Sequence, residues 1–141
     1  MPVEIVRTQP GRIAAFLQAG QREALRELYG FSVVWHEQQH DFAAIDDGAI
    51  VGAATIRIAA SLAHIEALAV SPERRLAGIG RRLLDHAAEV ANYYNCHKMT
   101  VQVPNRSGAQ KFFERCDYRE EAVLAQHTFK LDVAVLRKFL L

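Results

Sequence analysis

The sequence predicts an α/β fold built on a mixed, mostly antiparallel sheet of six to seven strands. Residues 64–102 predict a buried strand, a loop rich in Gly and Arg, a long helix and a second strand. A crossover of this length indicates that the two strands are parallel. Before it, Asp47-Gly48 separates residues 41–45 from residues 49–58 and favours a tight hairpin turn. Antiparallel strands therefore lead into the parallel pair.

The N-terminal part of the chain is predicted to be mainly helical. Residues 3–7 alternate weakly and predict a short first strand. Thr8 is the predicted cap of a helix with Pro10 near its first turn, and apolar residues at helical spacing continue as far as Gly30. The pattern allows one helix, or two helices divided near Gly20.

The C-terminal part predicts one short helix and a last hairpin. Ser107 and Gln110 have the spacing of a capping box that opens a helix. Residues 118–124 and 127–133 predict the final pair of strands. The apolar tail, residues 135–141, leaves a helix, core packing and a homodimer contact open.

Composition limits the classes of function. The 141 residues suffice for one packed core, so we expect a single domain over residues 1–141. A net charge of +1 argues against general binding to nucleic acid or to a membrane surface. Two cysteines form no disulfide framework and no metal-ligand pattern, and we expect no metal. With no signal-peptide or membrane-spanning pattern, we expect a cytoplasmic protein.

The loop after the first parallel strand has the chemistry of a polyphosphate site. A helix begins inside it, and a helix start offers unpaired N–H groups and partial positive charge. Gly78 and Gly80 leave that backbone accessible, and the flanking arginines add charge. These arginines are Arg74, Arg75, Arg81 and Arg82. A simple Gly turn before a solvated helix is the alternative. The loop matches neither the Walker pattern nor the Rossmann fingerprint.

A zinc-protease pattern, His36-Glu37-Gln38-Gln39-His40, lies before the first hairpin. Such a site needs a well-formed helix and a third ligand. A strand is predicted to begin at Asp41, immediately after the pattern, which leaves no room for a well-formed helix. We therefore expect a polar rim segment or part of an acceptor pocket, with metalloprotease chemistry the weakest of three functional hypotheses.

Residues 68–80 resemble the acetyl-CoA-binding motif of the GNAT acetyltransferase superfamily. That motif is Arg or Gln, two residues, Gly, any residue, then Gly or Ala, and it begins here at Arg75. The family often has Gly at the next position, where this chain has Leu76. The order of elements over residues 42–132 is similar to that of the family. His64-Ile65-Glu66 also resembles its glucosamine-phosphate N-acetyltransferase branch.

The resemblance implies a GNAT fold, with helices on both faces of the sheet and a parallel pair that separates to hold the pantetheine arm of acetyl-CoA. Residues 109–118 resemble the family pattern Ala-x-x-Phe-Tyr-Glu-Lys-x-Gly-Phe. An Asn that usually precedes this Tyr is matched approximately by Asn105. The implied cofactor contacts are Leu68, Ala69, Val70, Arg75, Leu76, Ala77, Gly78, Ile79, Gly80, Arg81, Asn105, Ala109 and Phe112.

The family Tyr that often protonates the leaving thiolate is Phe113 here. Phe has no proton to donate, so Tyr118 is our candidate for that role, with Tyr93, Tyr94 and water left open. Glu66 is the candidate base, because strand alternation predicts that it shares a face with His64 and Leu68, and burial is expected to raise its pKa.

These residues together predict transfer of acetyl from acetyl-CoA to a primary amine by direct attack in a ternary complex. Backbone N–H groups near Ala69 or Val70 are the expected oxyanion donors. The acceptor is not specified, although a small molecule is favoured. A CoA-binding sensor or interaction domain without catalysis is the alternative.

Overall fold

The structure, a computed structural model, describes residues 2–31 and 36–140. The chain forms two compact units, Met1–Trp35 and His36–Leu141. A single domain over the whole chain stays a prediction. In the described residues, none of the helices combines the length and the apolar character needed to cross a bilayer.

The first unit contains one continuous helix, α1 (Pro10–Tyr29). Its N-cap is Gln9, so the predicted cap at Thr8 is wrong. Gly30 ends the helix with φ 76°, and its N–H bonds to the Arg26 carbonyl. The strand predicted over residues 3–7 is also wrong, because residues 2–9 have no regular secondary structure.

The second unit is a six-stranded sheet with two α-helices and a short 3-10 helix, Pro72–Arg74. Its elements are β1 (Gln38–Asp46), β2 (Ala49–Ala59), β3 (Leu62–Val70), α2 (Ile79–Tyr93), β4 (Lys98–Pro104), α3 (Gly108–Arg115), β5 (Arg119–Thr128) and β6 (Leu131–Phe139). The strand order is β1-β2-β3-β4-β6-β5, and β3–β4 is the parallel pair. The predicted mixed α/β fold is therefore confirmed.

Two-residue turns connect the first three strands. Asp47 and Gly48 have φ of 49° and 78°, as a primed hairpin turn requires, and this confirms the predicted turn. Ala60 and Ser61 repeat the same geometry with φ of 51° and 60°. Asn95 ends α2 with φ 63°, as its side chain allows.

The hydrophobic core lies between one face of this sheet and the two helices. Ile56 and Ile65 come from the strands, Leu84 and Ala87 from α2, and Phe113 from α3. Because alternate strand residues enter this cluster, α2 and α3 lie on the same side of the sheet. Helices on both faces stay a prediction.

The two parallel strands separate soon after they meet. Their pairing covers Leu62–Lys98, Ala63–Met99 and His64–Thr100, and ends there. β3 nevertheless continues to Val70 and β4 to Pro104. The predicted gap between them is thus present, with the His64–Thr100 pair at its closed end.

A β-bulge interrupts β3 at Glu66. Thr55 pairs with Ala67 and Ile56 pairs with Ile65, so Glu66 has no partner residue on β2. The extra residue changes the phase of the alternation, and Ile65 and Leu68 both contact the core. The prediction that Glu66 and Leu68 share a face is therefore wrong.

The last hairpin differs from the prediction. Its turn is Phe129-Lys130, with φ of 51° and 64°, so β5 extends to Thr128. The apolar tail, for which the sequence leaves a helix, core packing and a homodimer contact open, supplies residues 135–139 of β6, and this strand inserts between β4 and β5.

Candidate active site

A cleft of about 850 Å³ occupies the gap between the separating strands. Residues 65–70 of β3 form one wall and residues 101–103 of β4 form the other. The loop before α2 and residues of α3 complete the lining. Its volume falls within the range of roughly 300–1,000 Å³ that is usual for ligand sites.

The loop before α2 presents a run of backbone donors. Gly78 is the N-cap with φ 81°, and no side chain caps the helix. The first helical hydrogen bond runs from Arg82 N–H to the Gly78 carbonyl at 3.0 Å. Across the part of the chain that the structure describes, none of the N–H groups from Leu76 to Arg81 has a protein acceptor. Such a run at a helix N-terminus is an anion site.

The backbone conformation at Leu76 explains why Gly is usual at this position of the motif. Its φ is 67°, which is left-handed backbone that a branched side chain adopts at a cost. Its side chain is fully exposed at the edge of the cleft.

Three arginines around the loop are held by the fold. Arg74 forms an ion pair with Asp46, and Arg81 donates a hydrogen bond to the Arg115 carbonyl at the end of α3. Arg75 Nε lies 3.4 Å from the Val70 carbonyl oxygen. All three line the cleft, so their positive charge adds to the partial positive charge of the N–H groups at the start of the helix.

Backbone groups of β3 also face the gap. Ser71 N–H bonds to the Val51 carbonyl of β2 at 2.8 Å, and hydrogen bonds in an antiparallel pair alternate along the strand. The N–H and C=O groups of Val70 and Leu68 therefore point away from β2, and those of Ala69 point toward it. The Arg75 contact to the Val70 carbonyl agrees with this orientation.

Close packing joins the loop to α3. A Cβ on Gly80 would lie 2.9 Å from Cζ of Phe112 and 3.2 Å from its Cε1. Gly80 therefore lets the Phe112 ring reach the start of α2. Ser107 opens α3 by accepting a hydrogen bond from Gln110 N–H at 3.2 Å, which confirms the predicted cap.

Glu66 lies at the cleft on the side away from the core. Its side chain is 37% exposed, so the burial expected for it is wrong. Its Oε1 is 3.4 Å from Nε of Arg57, which is 48% exposed. Glu66 is thus a solvent-accessible carboxylate with one cationic neighbour.

Tyr118 is in the core. It is 3% exposed, its hydroxyl donates to Sδ of Met99 at 3.7 Å, and burial raises its pKa above the ordinary value of 10.0. The residues lining the cleft include Phe113 and Cys116, and Tyr118 is not one of them. The structure does not bring Tyr118 to the site, so its assignment as acid lacks geometric support.

Most of the other predicted contacts lie together at the cleft. Ala109 and Phe112 line it with the loop and β3 residues. Ala77 lines a neighbouring cavity of about 770 Å³ instead. Asn105 is in the turn after β4, where its N–H bonds to the Asp132 carbonyl at 3.0 Å, outside the cleft.

Sequence reasoning missed the second wall of the cleft. Val101, Gln102 and Val103 line it from β4, because the pairing ends at His64–Thr100, and the sequence does not show the register that fixes this end point. Cys116 was also missed. Burial raises the pKa of its thiol, so it is expected to be an unreactive wall residue.

The zinc-protease interpretation is contradicted. Gln38 begins β1, so the two histidines do not lie one helical turn apart. The His40 ring packs on Tyr94 with centroids 4.9 Å apart, and its Nε2 contacts Oε1 of Gln38 at 3.1 Å. In the described ranges, no cluster of three or more ligating side chains suits a metal.

This fold and cleft are those that the motif resemblance implies for a CoA-binding acetyltransferase. The model of the Acetyltransferase (GNAT) family matches residues 8–118, and the chain therefore belongs to that family. This confirms the prediction of an acetyltransferase that uses acetyl-CoA as its acetyl donor. A search of curated protein sequences gives no significant match.

Solved structures show the same fold at low identity. An acetyltransferase from Bacillus cereus ATCC 14579 is 16% identical with a TM-score of 0.75, and the match covers 97% of this chain and 98% of that one. An aminoglycoside 6'-N-acetyltransferase complexed with coenzyme A is 15% identical with a TM-score of 0.66 and 72% coverage of both chains. Ard1 from Thermoplasma volcanium is 19% identical with a TM-score of 0.62, covering 67% of this chain and 66% of that one.

Proposed function

We propose that the chain is an N-acetyltransferase that moves acetyl from acetyl-CoA to a primary amine by direct attack in a ternary complex. The observation that carries the proposal is the run of unpaired N–H groups at the mouth of a cleft between separating strands. A small molecule is the acceptor class we favour, and the glucosamine-phosphate branch stays a prediction.

The lining of the cleft fits the parts of acetyl-CoA. The N–H groups from Leu76 to Arg81, with Arg75, would hold the pyrophosphate. Backbone groups of Leu68 and Val70 would bind the pantetheine amides, because they face the gap. The similar aminoglycoside 6'-N-acetyltransferase carries coenzyme A, which supports the same ligand here.

Glu66 is the group we assign to proton removal. An alkyl ammonium has a pKa near ~10.4, so the acceptor must lose a proton before its nitrogen can attack. The neutral amine then forms the C–N bond and the C–S bond breaks, and the proton released by the new amide nitrogen passes through water to the leaving thiolate. A thiol pKa of about 8.5 makes this last step undemanding, so Phe113 is tolerated where a Tyr is usual.

A CoA-binding sensor without catalysis is the second candidate. It is favoured by Phe113, which removes the usual acid, and by the burial of Tyr118, which prevents a simple replacement. Both candidates bind CoA, and turnover separates them.

The test is release of free thiol from acetyl-CoA in a screen of primary amines, with the acetylated product identified by mass. The matched control is Glu66→Gln, which keeps the shape of the side chain and removes its basic carboxylate. Amine-dependent thiol release that Glu66→Gln weakens is the expected result. Tight CoA binding without turnover of any amine would favour the sensor.

A further inference from the structure

One register row crosses the complete sheet on the side away from the core. Successive Cα partners connect Gln39, Arg57, His64, Thr100, Arg137 and Arg119. These side chains are exposed or half-buried, whereas both chain neighbours of the row residues on β2, β3 and β4 are buried in the core, and on β6 the preceding residue, Leu136, is buried. Three arginines and a histidine therefore line one side of the sheet at the same level.

The row passes through the closed end of the cleft. His64 and Thr100 form the last parallel pair before β3 and β4 separate, and Nδ1 of His64 is 2.8 Å from Oγ1 of Thr100. Glu66 is two residues further along β3 and lines the cleft. The row is thus continuous with the place where we propose that the acceptor amine reacts.

The charges along the row are neutralised unequally. Glu66 is the ion-pair partner of Arg57, and Glu121 pairs with nearby Lys98 at 2.7 Å. Arg119 and Arg137 form no ion pair with any residue that the structure describes. The Arg137 guanidinium is 4.6 Å from the centroid of the Phe139 ring, which holds it in place without cancelling its charge.

Like charges directly opposite each other destabilise a sheet. Arg119 and Arg137 occupy such a position on β5 and β6. A local cost of this kind, with no counter-ion in the described residues, is typical of a ligand site. Guanidinium pairs bind carboxylates and phosphates through charge-assisted hydrogen bonds.

We propose that Arg119 and Arg137 bind an acidic group of the acceptor, so that the substrate is a primary amine that also carries a carboxylate or a phosphate. This inference rests on the proposed acetyl transfer. Adjacent strands are about 4.8 Å apart, so Arg137 is roughly 5 Å from Thr100 and roughly 10 Å from His64 along the row. The acid and the amine of the acceptor should therefore be separated by no more than roughly 10 Å.

The test compares amines that differ in the acidic group alone. The carboxylate pair is 6-aminohexanoate and 6-aminohexanamide, and the phosphate pair is O-phosphoethanolamine and ethanolamine. In the wild-type protein, kcat/KM should be about tenfold to a hundredfold higher for the acidic member of at least one pair. The pair that shows the preference identifies the group.

The variants are Arg119→Gln, Arg137→Gln and the double substitution. The double variant should reduce the preference to about twofold or less, mainly through KM for the acidic amine, with kcat for the neutral amine unchanged. Lys130→Gln is the matched control, because it removes the same charge from the turn of the same hairpin and should keep the preference. Equal rates for acidic and neutral amines, or a preference that survives the double substitution, would overturn the inference.

A binding measurement keeps this test independent of turnover. With CoA present to fill the phosphate loop, the arginine Nε–Hε NMR signals are followed while 6-aminohexanoate or O-phosphoethanolamine is added. Shifts at Arg119 and Arg137 support the site even when no amine is acetylated, in which case the proposed function alone fails. Absence of shifts at both arginines overturns the site and leaves the CoA cleft unaffected.

Discussion

Gly80 sets the distance between the loop before α2 and α3. Gly80→Ala would place a methyl group 2.9 Å from the Phe112 ring, so the ring or the start of α2 must move. We expect a loss of about 1–3 kcal/mol in the free energy of unfolding and weaker CoA binding.

Chemical denaturation and CoA titration measure the two effects of this substitution. Gly20→Ala is the control, because nothing lies within 4 Å of its added Cβ and it is inside α1. That variant should gain up to about 1 kcal/mol from helix propensity. Unchanged CoA affinity in Gly80→Ala would contradict the packing role.

Glu66 is the residue on which proton removal depends. Glu66→Gln should reduce kcat about tenfold or more near neutral pH and less at alkaline pH, where more of the amine is already uncharged. The measurement is kcat against pH for the variant and the wild-type protein. Acetyl-CoA affinity should stay the same. A uniform or absent loss of rate would show that Glu66 only pairs with Arg57.

Tyr118 is the predicted general acid, but unlike Glu66 it lies in the core and does not line the cleft. Tyr118→Phe should retain kcat, because the hydroxyl contacts Met99 and not the cleft. Burial raises the pKa of Tyr118 in the folded state, so unfolding favours loss of its proton above the ordinary value of 10.0. The stability that the protonated Tyr118 side chain contributes is complete below a pH of 10.0 and is lost as the pH rises above this value.

The variant should therefore show a shallower alkaline decline in the free energy of unfolding, measured by denaturation between neutral pH and pH ~11. A large loss of kcat in Tyr118→Phe would restore it as the acid.

At the scale of elements, α3 depends on its cap. Ser107 accepts from Gln110 N–H, and the Gln110 side chain in turn accepts from Arg106 N–H at 2.6 Å. Ser107→Ala should lower the free energy of unfolding by about 1 kcal/mol, whereas Ser107→Asp should preserve it because Asp also caps helices well. Thermal or chemical denaturation of both variants distinguishes a lost cap from a general effect of substitution. Equal losses in both would contradict this account of α3.

Elements with local chemical signals were predictable. Asp47-Gly48 has the side chains that a primed turn prefers, and Ser107 with Gln110 defines a helix start within four residues. The last hairpin turns at Phe129-Lys130, which carries no Gly, Asn, Asp or Pro, so no local signal was available. Its strand β6 is an apolar run whose form depends on insertion between β4 and β5.

The candidate site was predicted where a contiguous motif carries it, in the loop from Arg75 to Arg81. It was not predicted where it depends on registers between distant strands. The bulge at Glu66 arises from pairing with β2, and the row that reaches Arg119 needs all six strands. The periodicity of residues within one strand predicts neither the bulge nor the row, because both depend on how different strands are paired.

At the scale of the molecule, the central claim is that acetyl-CoA occupies the gap between β3 and β4 and binds the loop before α2. Both walls and the loop must be folded to bind it, so the ligand should stabilise the native state. A ligand at about a hundred times its Kd contributes roughly 2.7 kcal/mol. For a chain of this size that should raise the Tm by roughly 5–10 °C.

The most direct measurement is thermal unfolding with acetyl-CoA, with CoA and with pantetheine, which lacks the pyrophosphate. We predict a rise in Tm of several degrees with acetyl-CoA and CoA, and a much smaller rise with pantetheine, because the free N–H groups from Leu76 to Arg81 then have no phosphate to bind. An unchanged Tm with acetyl-CoA and CoA at millimolar concentration would contradict the claim, and the loop would then be only the start of a helix.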